Sequence, residues 1–188
     1  MIHNFWKKLK HALHDSSGSI TVEFVIWFPL LMFWLLGTIV FFDGFKARSN
    51  LSTANSTIAD IVSRTSEITE TNVTEYQNLQ TGMLPRTTGN GLRISSIQFA
   101  IDPTIPGDPG SYTVEWSAVA GAATEVLVDE EIDIASLPNM YDGEILIFVE
   151  SSVPFQPITT YLGISFQTLR NEIAISPRYD SRIAWVEE

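Results

Sequence analysis

Residues 24–42 form a run of 19 side chains without a charge, interrupted only by Pro29, Gly37 and Thr38. As a helix rising 1.5 Å per residue the run is roughly 28 Å long, enough to cross the hydrocarbon core of a bilayer. It exceeds the apolar core of an ordinary secretory signal peptide, and no small-x-small cleavage motif follows it. The segment is therefore expected to remain in the working protein. Glu23 stands at its mouth. A carboxylate at the edge of a membrane-crossing helix is costly to place, so it needs a partner or a purpose. Pro29 removes one helical hydrogen bond and is expected to kink the span, which is tolerable where neighbouring segments pack against it.

What precedes the run sets its direction. Residues 1–18 hold Lys7, Lys8 and Lys10 against a single acid, Asp15. Phe5, Trp6, Leu9 and Leu13 are spaced to share one helical face, suited to a membrane surface. By the positive-inside rule the lysines stay in the cytoplasm, and everything after residue 42 is exported. That exported part carries 8 basic and 20 acidic side chains, a net charge of -12. Such a surface repels nucleic acid and anionic lipid headgroups, so no nucleic-acid partner is expected. Cysteine is absent, which excludes disulfides, thiolate nucleophiles and zinc–thiolate sites. His3, His11 and His14 all precede Gly18. A chain lacking its first 18 residues would have no histidine for catalysis.

Gly18 before a small residue, Ser19, with Glu23 five positions on and then an apolar helix, resembles the type IV prepilin-like proteins. Within that group the stretch GSITVEFVIWFPLLMFWLLG, residues 18–37, is similar to the TadE-like family of the tight-adherence (Flp) pilus system. Val22-Glu23-Phe24, followed by Pro29-Leu30 inside the membrane helix, carries the closer likeness. The resemblance implies a minor pilin-like or pseudopilin component that acts structurally in pilus biogenesis and surface adhesion. It implies a single-pass protein of the bacterial inner membrane, its N-terminus cytoplasmic and its C-terminal domain periplasmic. The partners implied are a prepilin peptidase, other pilin-like subunits, the Tad inner-membrane machinery and the lipid bilayer.

The same resemblance implies cleavage between Gly18 and Ser19. The new Ser19 amine would then lie roughly 6 Å along the helix axis from Glu23. When such subunits pack side by side, the carboxylate of one can pair with the amine of its neighbour. Desolvating each charge costs on the order of several kcal/mol, so the pair fixes axial register more than it adds stability.

Past residue 43 the helical pattern continues. Leu51, Ala54, Ile58, Ile61, Thr65 and Ile68 recur at steps of three and four, a narrow coiled-coil-like stripe that predicts helix to about residue 68. Ser, Thr and Asn fill the other positions and are weak helix formers, so the stripe needs a partner, either this chain's own sheet or a second subunit. The segment Ala59-Asp60-Ile61-Val62-Ser63-Arg64 is also similar to one in TadE-like proteins. A second helix is expected at residues 72–83, ending before Pro85. The texture then changes to strands: residues 93–102, 112–119 with Tyr112, Val114 and Trp116 on one face, 144–152 and 170–176. Residues 126–128 could extend the sheet, residues 132–137 lead to Pro138 and a turn at Asp142-Gly143, and residues 158–166 are an apolar stretch. The uninterrupted apolar run Ile145–Val149 belongs in mid-sheet. Pro154-Phe155-Gln156-Pro157 and the later Pro177-Arg178 resemble the ending of TadE-like proteins, with Val153 where an aromatic is usual.

The expected fold is therefore α+β, a long N-terminal helix followed by a mainly antiparallel sheet. Its expected parts are a leader at 1–18, a transmembrane helix at 19–42, a helical stalk at 43–83 and a β-rich periplasmic domain at 84–188. No cofactor or metal is expected. The acidic run at residues 129–133 lacks the glycine and alternating ligands of a calcium loop, and reads as a solvated face. Asp60 and Arg64, four apart, read as an exposed pair. Asn-x-Ser/Thr triplets at Asn50, Asn55 and Asn72 read as chance. There is no phosphate-binding glycine loop, nucleophile elbow or metal-ligand spacing, so no enzyme is expected. The alternative reading is an uncleaved, signal-anchored periplasmic binding or sensing protein, its acidic domain holding a cation at residues 129–133.

Overall fold

The computed structural model describes residues 19–84, 89–105, 107–123, 125–157 and 167–187. The expected apolar stretch at 158–166 lies outside them. The fold is α+β, as expected. Helix α1 spans Ser19–Val62 and contains Pro29. Strand β1 (Glu67–Ile68), helix α2 (Glu70–Met83), β2 (Gly91–Ala100) and β3 (Ser111–Gly121) follow. After two short 3-10 turns come β4 (Ile145–Phe155), β5 (Gln167–Ile175) and β6 (Ala184–Trp185). The chain divides into two compact units, residues 1–43 and residues 44–188.

In the second unit a four-stranded antiparallel sheet runs in the order β3-β2-β4-β5. Strand β4 pairs on both sides, with Val149 opposite Ile94 of β2 and Ile173 of β5. The apolar run that marked β4 as interior is thus accounted for: Ile147 and Val149 pack on one face, and Phe148 faces the other. The strand runs further than expected, through Pro154, which pairs with Thr168 on β5.

One face of the sheet is covered by α1 and α2. Ile58, Ala59 and Val62 of α1 and Val73 of α2 join Leu92, Ile94, Ile147 and Val149 in the main core. Fully burying an aliphatic side chain of this size contributes about 1.5–3 kcal/mol. The partner the stripe needs is therefore the chain's own sheet. The buried helix face is wider than the stripe, because it includes Asn55, Ala59 and Val62.

Helix α1 stops at Val62, short of residue 68. Ser63 Oγ donates to the Asp60 carbonyl at 2.8 Å and Thr65 Oγ1 to the Val62 carbonyl at 2.8 Å. These hydroxyls take carbonyls that a continuing helix would use, and the backbone tightens to Arg64 N–Ile61 O and Thr65 N–Val62 O bonds. Ile68 is still fully buried, as a residue of β1. Helix α2 opens two residues before the expected start because Thr69 caps it. Thr69 Oγ1 accepts from Asn72 N, and Asn72 Oδ1 accepts from Thr69 N at 3.0 Å.

Strand β3 carries a bulge. Ser96 pairs with Trp116 but Ile97 with Val114, so Glu115 is the extra residue. The sequence pattern put Tyr112, Val114 and Trp116 on one face. The bulge turns Trp116 to the helix-covered face, leaving Tyr112 and Val114 on the other with Ile97, Leu127 and Phe148. Residues 126–128 are not a strand. They lie in a connection containing the 3-10 turns Asp129–Glu131 and Ile134–Ser136.

The tail closes the helix side. Strand β6 pairs in parallel with β1, Glu67 opposite Ala184 and Ile68 opposite Trp185. Ile183 is fully buried in the main core. Trp116 Nε1 donates to its carbonyl at 2.8 Å, and the Trp116 and Trp185 rings lie 5.7 Å apart.

Candidate functional site

In the first unit the described part of α1 opens at Ser19, and Glu23 sits about one turn further in, exposed. Gly18, Lys7, Lys8 and Lys10 lie outside the described residues. Glu23 is followed by a helix surface of exposed apolar side chains, including Phe24 at 62%, Trp34 at 69% and Phe41 at 70% of full exposure. Phe24 and Phe28 stack one turn apart, ring centroids 5.1 Å. Pro29 lies within the helix and has no N–H to give the Val25 carbonyl. Thr38 satisfies its own hydroxyl by donating to the Trp34 carbonyl at 3.0 Å.

Among the described residues one helix is long and apolar enough to cross a membrane. The core helix of a soluble protein would satisfy the same test, but such a helix is buried by its own chain. Here only 6% of the most apolar 18-residue window is buried. The apolar surface is directed outward, toward whatever surrounds it.

In the second unit, residues 44–62 of α1 are fixed to the sheet by a buried polar cluster. Asn55 is fully buried. Its Nδ2 lies 3.1 Å from the Val149 carbonyl, 3.2 Å from that of Asn171 and 2.9 Å from Asn171 Oδ1. Its Oδ1 accepts from Ser151 Oγ at 2.6 Å, and Ser151 Oγ accepts from Gln80 Nε2 at 2.6 Å. One asparagine thus ties α1 to β4 and β5, and through Ser151 to α2. Sequence reasoning missed it, because its triplet was read as chance. The available signal was an amide on the buried side of a helical stripe.

At the end of α1, Asp60 and Arg64 do pair, with Nε to Oδ2 at 3.0 Å. A third member was not expected. Arg178 Nη1 sits 3.0 Å from Asp60 Oδ1, and Arg178 N donates to the Ser63 carbonyl at 2.7 Å. The hydrogen bond from Arg64, then the charges of Arg64 and Arg178, hold the Asp60 carboxyl below its usual range. The Pro177-Arg178 element is therefore brought onto the segment 59–64.

The acidic run at 129–133 is partly engaged internally. Asp129 Oδ1 accepts from Val114 N at 2.6 Å and Asp133 Oδ1 from Ala135 N at 3.1 Å. No group of three acids or other ligands among the described residues is placed to share a metal ion.

Residues 18–59 match the family model described as TadE-like protein. No curated protein and no solved structure matches the chain. The matched stretch begins at Gly18, covers the apolar part of α1 and ends four residues past Asn55. Over these residues, about a fifth of its length, the chain is similar to TadE-like proteins.

Proposed function

We propose that the protein is a structural, membrane-anchored component of a Tad (Flp) pilus assembly machine, processed by a prepilin peptidase. TadE-like proteins form a pilus-assembly family that is not known for catalysis, and the chemistry assigned here is done to this chain rather than by it. The observation that carries the reading is the junction at residue 18. The family match starts at Gly18, and Glu23, five residues on, stands exposed at the head of an outward-facing apolar helix.

On this reading residues 1–18 are a basic leader, held in the cytoplasm by Lys7, Lys8 and Lys10, and cut away between Gly18 and Ser19. Residues 19–42 span the inner membrane, residues 43–83 form a helical stalk and residues 84–188 a periplasmic β-rich domain. Pro29 kinks the span against neighbouring helices. Glu23 pairs with the Ser19 amine of an adjacent pilin-like subunit and sets its register.

N-terminal sequencing of the membrane-extracted protein, with and without a co-expressed prepilin peptidase, tests the cut. Ser19 at the start only with the peptidase is the expected result, abolished by Gly18→Val. Met1 in both samples overturns it and leaves an uncleaved signal-anchored protein.

A further inference from the structure

Between Arg93 and Arg170 the chain has eleven acidic residues and no lysine or arginine. The same stretch holds most of the second unit's outward apolar side chains. Of the ten large hydrophobic residues exposed among the described residues from Gly44 onward, six lie between residues 101 and 141. Solvation alone explains charges, but it does not explain Ile105 at 55%, Ile134 at 60% and Tyr141 at 83% of full exposure.

These side chains sit on segments that are held in place. The β2–β3 loop is braced by Thr104 N and Oγ1 on Asp102 Oδ1, at 2.8 and 2.7 Å, and by Asp102 N on Asp108 Oδ2 at 2.6 Å. It is joined to the loop before β4 by Ile101 N on Asp142 Oδ1 at 2.8 Å and Gly143 N on the Phe99 carbonyl at 2.9 Å. Gly110, at φ +81°, lies against the Phe99 ring where any side chain would collide. The Phe99 ring packs on Tyr112, 4.9 Å between centroids, and Tyr112 continues into the cluster beneath residues 127–137. The loops and that connection thus form one surface, at the end of the sheet opposite Gly44, whose own contact is Phe155 at the far end of β4.

We propose that this surface docks a protein partner presenting a basic amphipathic segment, its apolar side chains seated on Ile105, Ile134 and Tyr141. The sign follows from the nine acids and no base that the loops and the connection carry, the other two, Glu115 and Glu150, being paired with Arg182 and Arg93; this repels an acidic partner and draws a basic one. The apolar contacts supply what charge alone does not, a preference for one basic surface over another. Pre-bracing of the loop lowers the ordering cost on binding. The proposal is independent of leader processing.

The test uses the full chain in nanodiscs of zwitterionic phosphatidylcholine, with empty nanodiscs subtracted. The probes are a 14-residue Lys/Leu amphipathic peptide and a Lys/Ser peptide of equal charge, measured by fluorescence anisotropy at physiological salt. The Lys/Leu peptide is expected to bind at least about tenfold more tightly. Ile105→Ser/Ile134→Ser/Tyr141→Ser should erase that difference, while Leu79→Ser, at an exposed apolar site on α2, should leave it. All four substitutions are at exposed positions, and an unchanged thermal melt confirms folding. Equal binding of the two peptides, no binding, or an unaffected triple variant overturns the proposal; equal binding would leave only charge attraction.

Discussion

Asn55 of α1 donates to the main-chain carbonyl of Val149, 3.1 Å away, in the middle strand of the sheet. A central strand has its own ladder partners on both sides, so a helix side chain reaching a strand carbonyl adds a bond that the sheet does not supply. Replacing Asn55 by Ala removes this bond and leaves the buried Ser151 hydroxyl without its acceptor. Unfolding in urea should show a loss of about 2–4 kcal/mol, from unsatisfied buried groups plus the vacated volume. Asn50→Ala, on the same helix but outside the cluster, should stay within about 0.5 kcal/mol of the parent.

Arg93, Glu150 and Glu172 lie in one row across β2, β4 and β5, in register. Two glutamates opposite each other repel. Arg93 offsets this by a two-pronged bond to Glu150, Nε–Oε2 at 2.6 Å and Nη2–Oε1 at 2.7 Å. That bond, against some loss of hydration, raises the Arg93 pKa still further above the neutral range. Arg93→Ala should therefore destabilise by about 2–3 kcal/mol, a partly buried charge having lost its partner. Arg93→Met/Glu150→Leu should recover most of that loss, by a denaturant series on all variants. A double variant as weak as the single one would show that shape, not charge, matters at this position.

The Asp60 carboxyl has a folded-state pKa below the ordinary value of 3.8, through its bond to Arg64. A depressed folded pKa means stability that is present above the ordinary value and lost as pH falls through the folded one. Melting temperatures taken from about pH 5 to about pH 2.5 should show the parent above Asp60→Asn at the upper end and level with it at the lower. A gap that stays constant over this range would mean the aspartate acts by shape alone.

Glu23→Ala should leave processing at residue 18 intact and reduce pilus assembly severalfold, since the residue is proposed to pair between subunits and not with the peptidase. Processing is read from gel mobility, assembly from surface pili counted by electron microscopy. Normal piliation in that variant would remove the pairing role.

The parts of the fold legible in sequence are those whose side chains meet one neighbour at one period. Ile145–Val149 could only be interior, and Leu51, Ala54 and Ile58 could only face a core. The end of α1 was concealed because Ile68 continues the helical spacing while being buried for another reason, as a two-residue strand against Trp185. A pairing so short, between residues more than a hundred apart, leaves no local pattern. The bulge at Glu115 reversed the face of Trp116, and one extra residue cannot be seen in an alternating run. In the candidate site, the TadE-like stretch that begins at Gly18 was legible by spacing. Asn55 was not, because a buried amide and a solvated one are the same letter.

The β1–β6 pair has a consequence for synthesis. Ile68 leaves the ribosome long before Trp185, and until residues 183–185 follow, the main core lacks Ile183 and the second edge of its smallest sheet. The β1–β6 pair and this part of the core therefore close only late in synthesis, after the four strands of the larger sheet have been made.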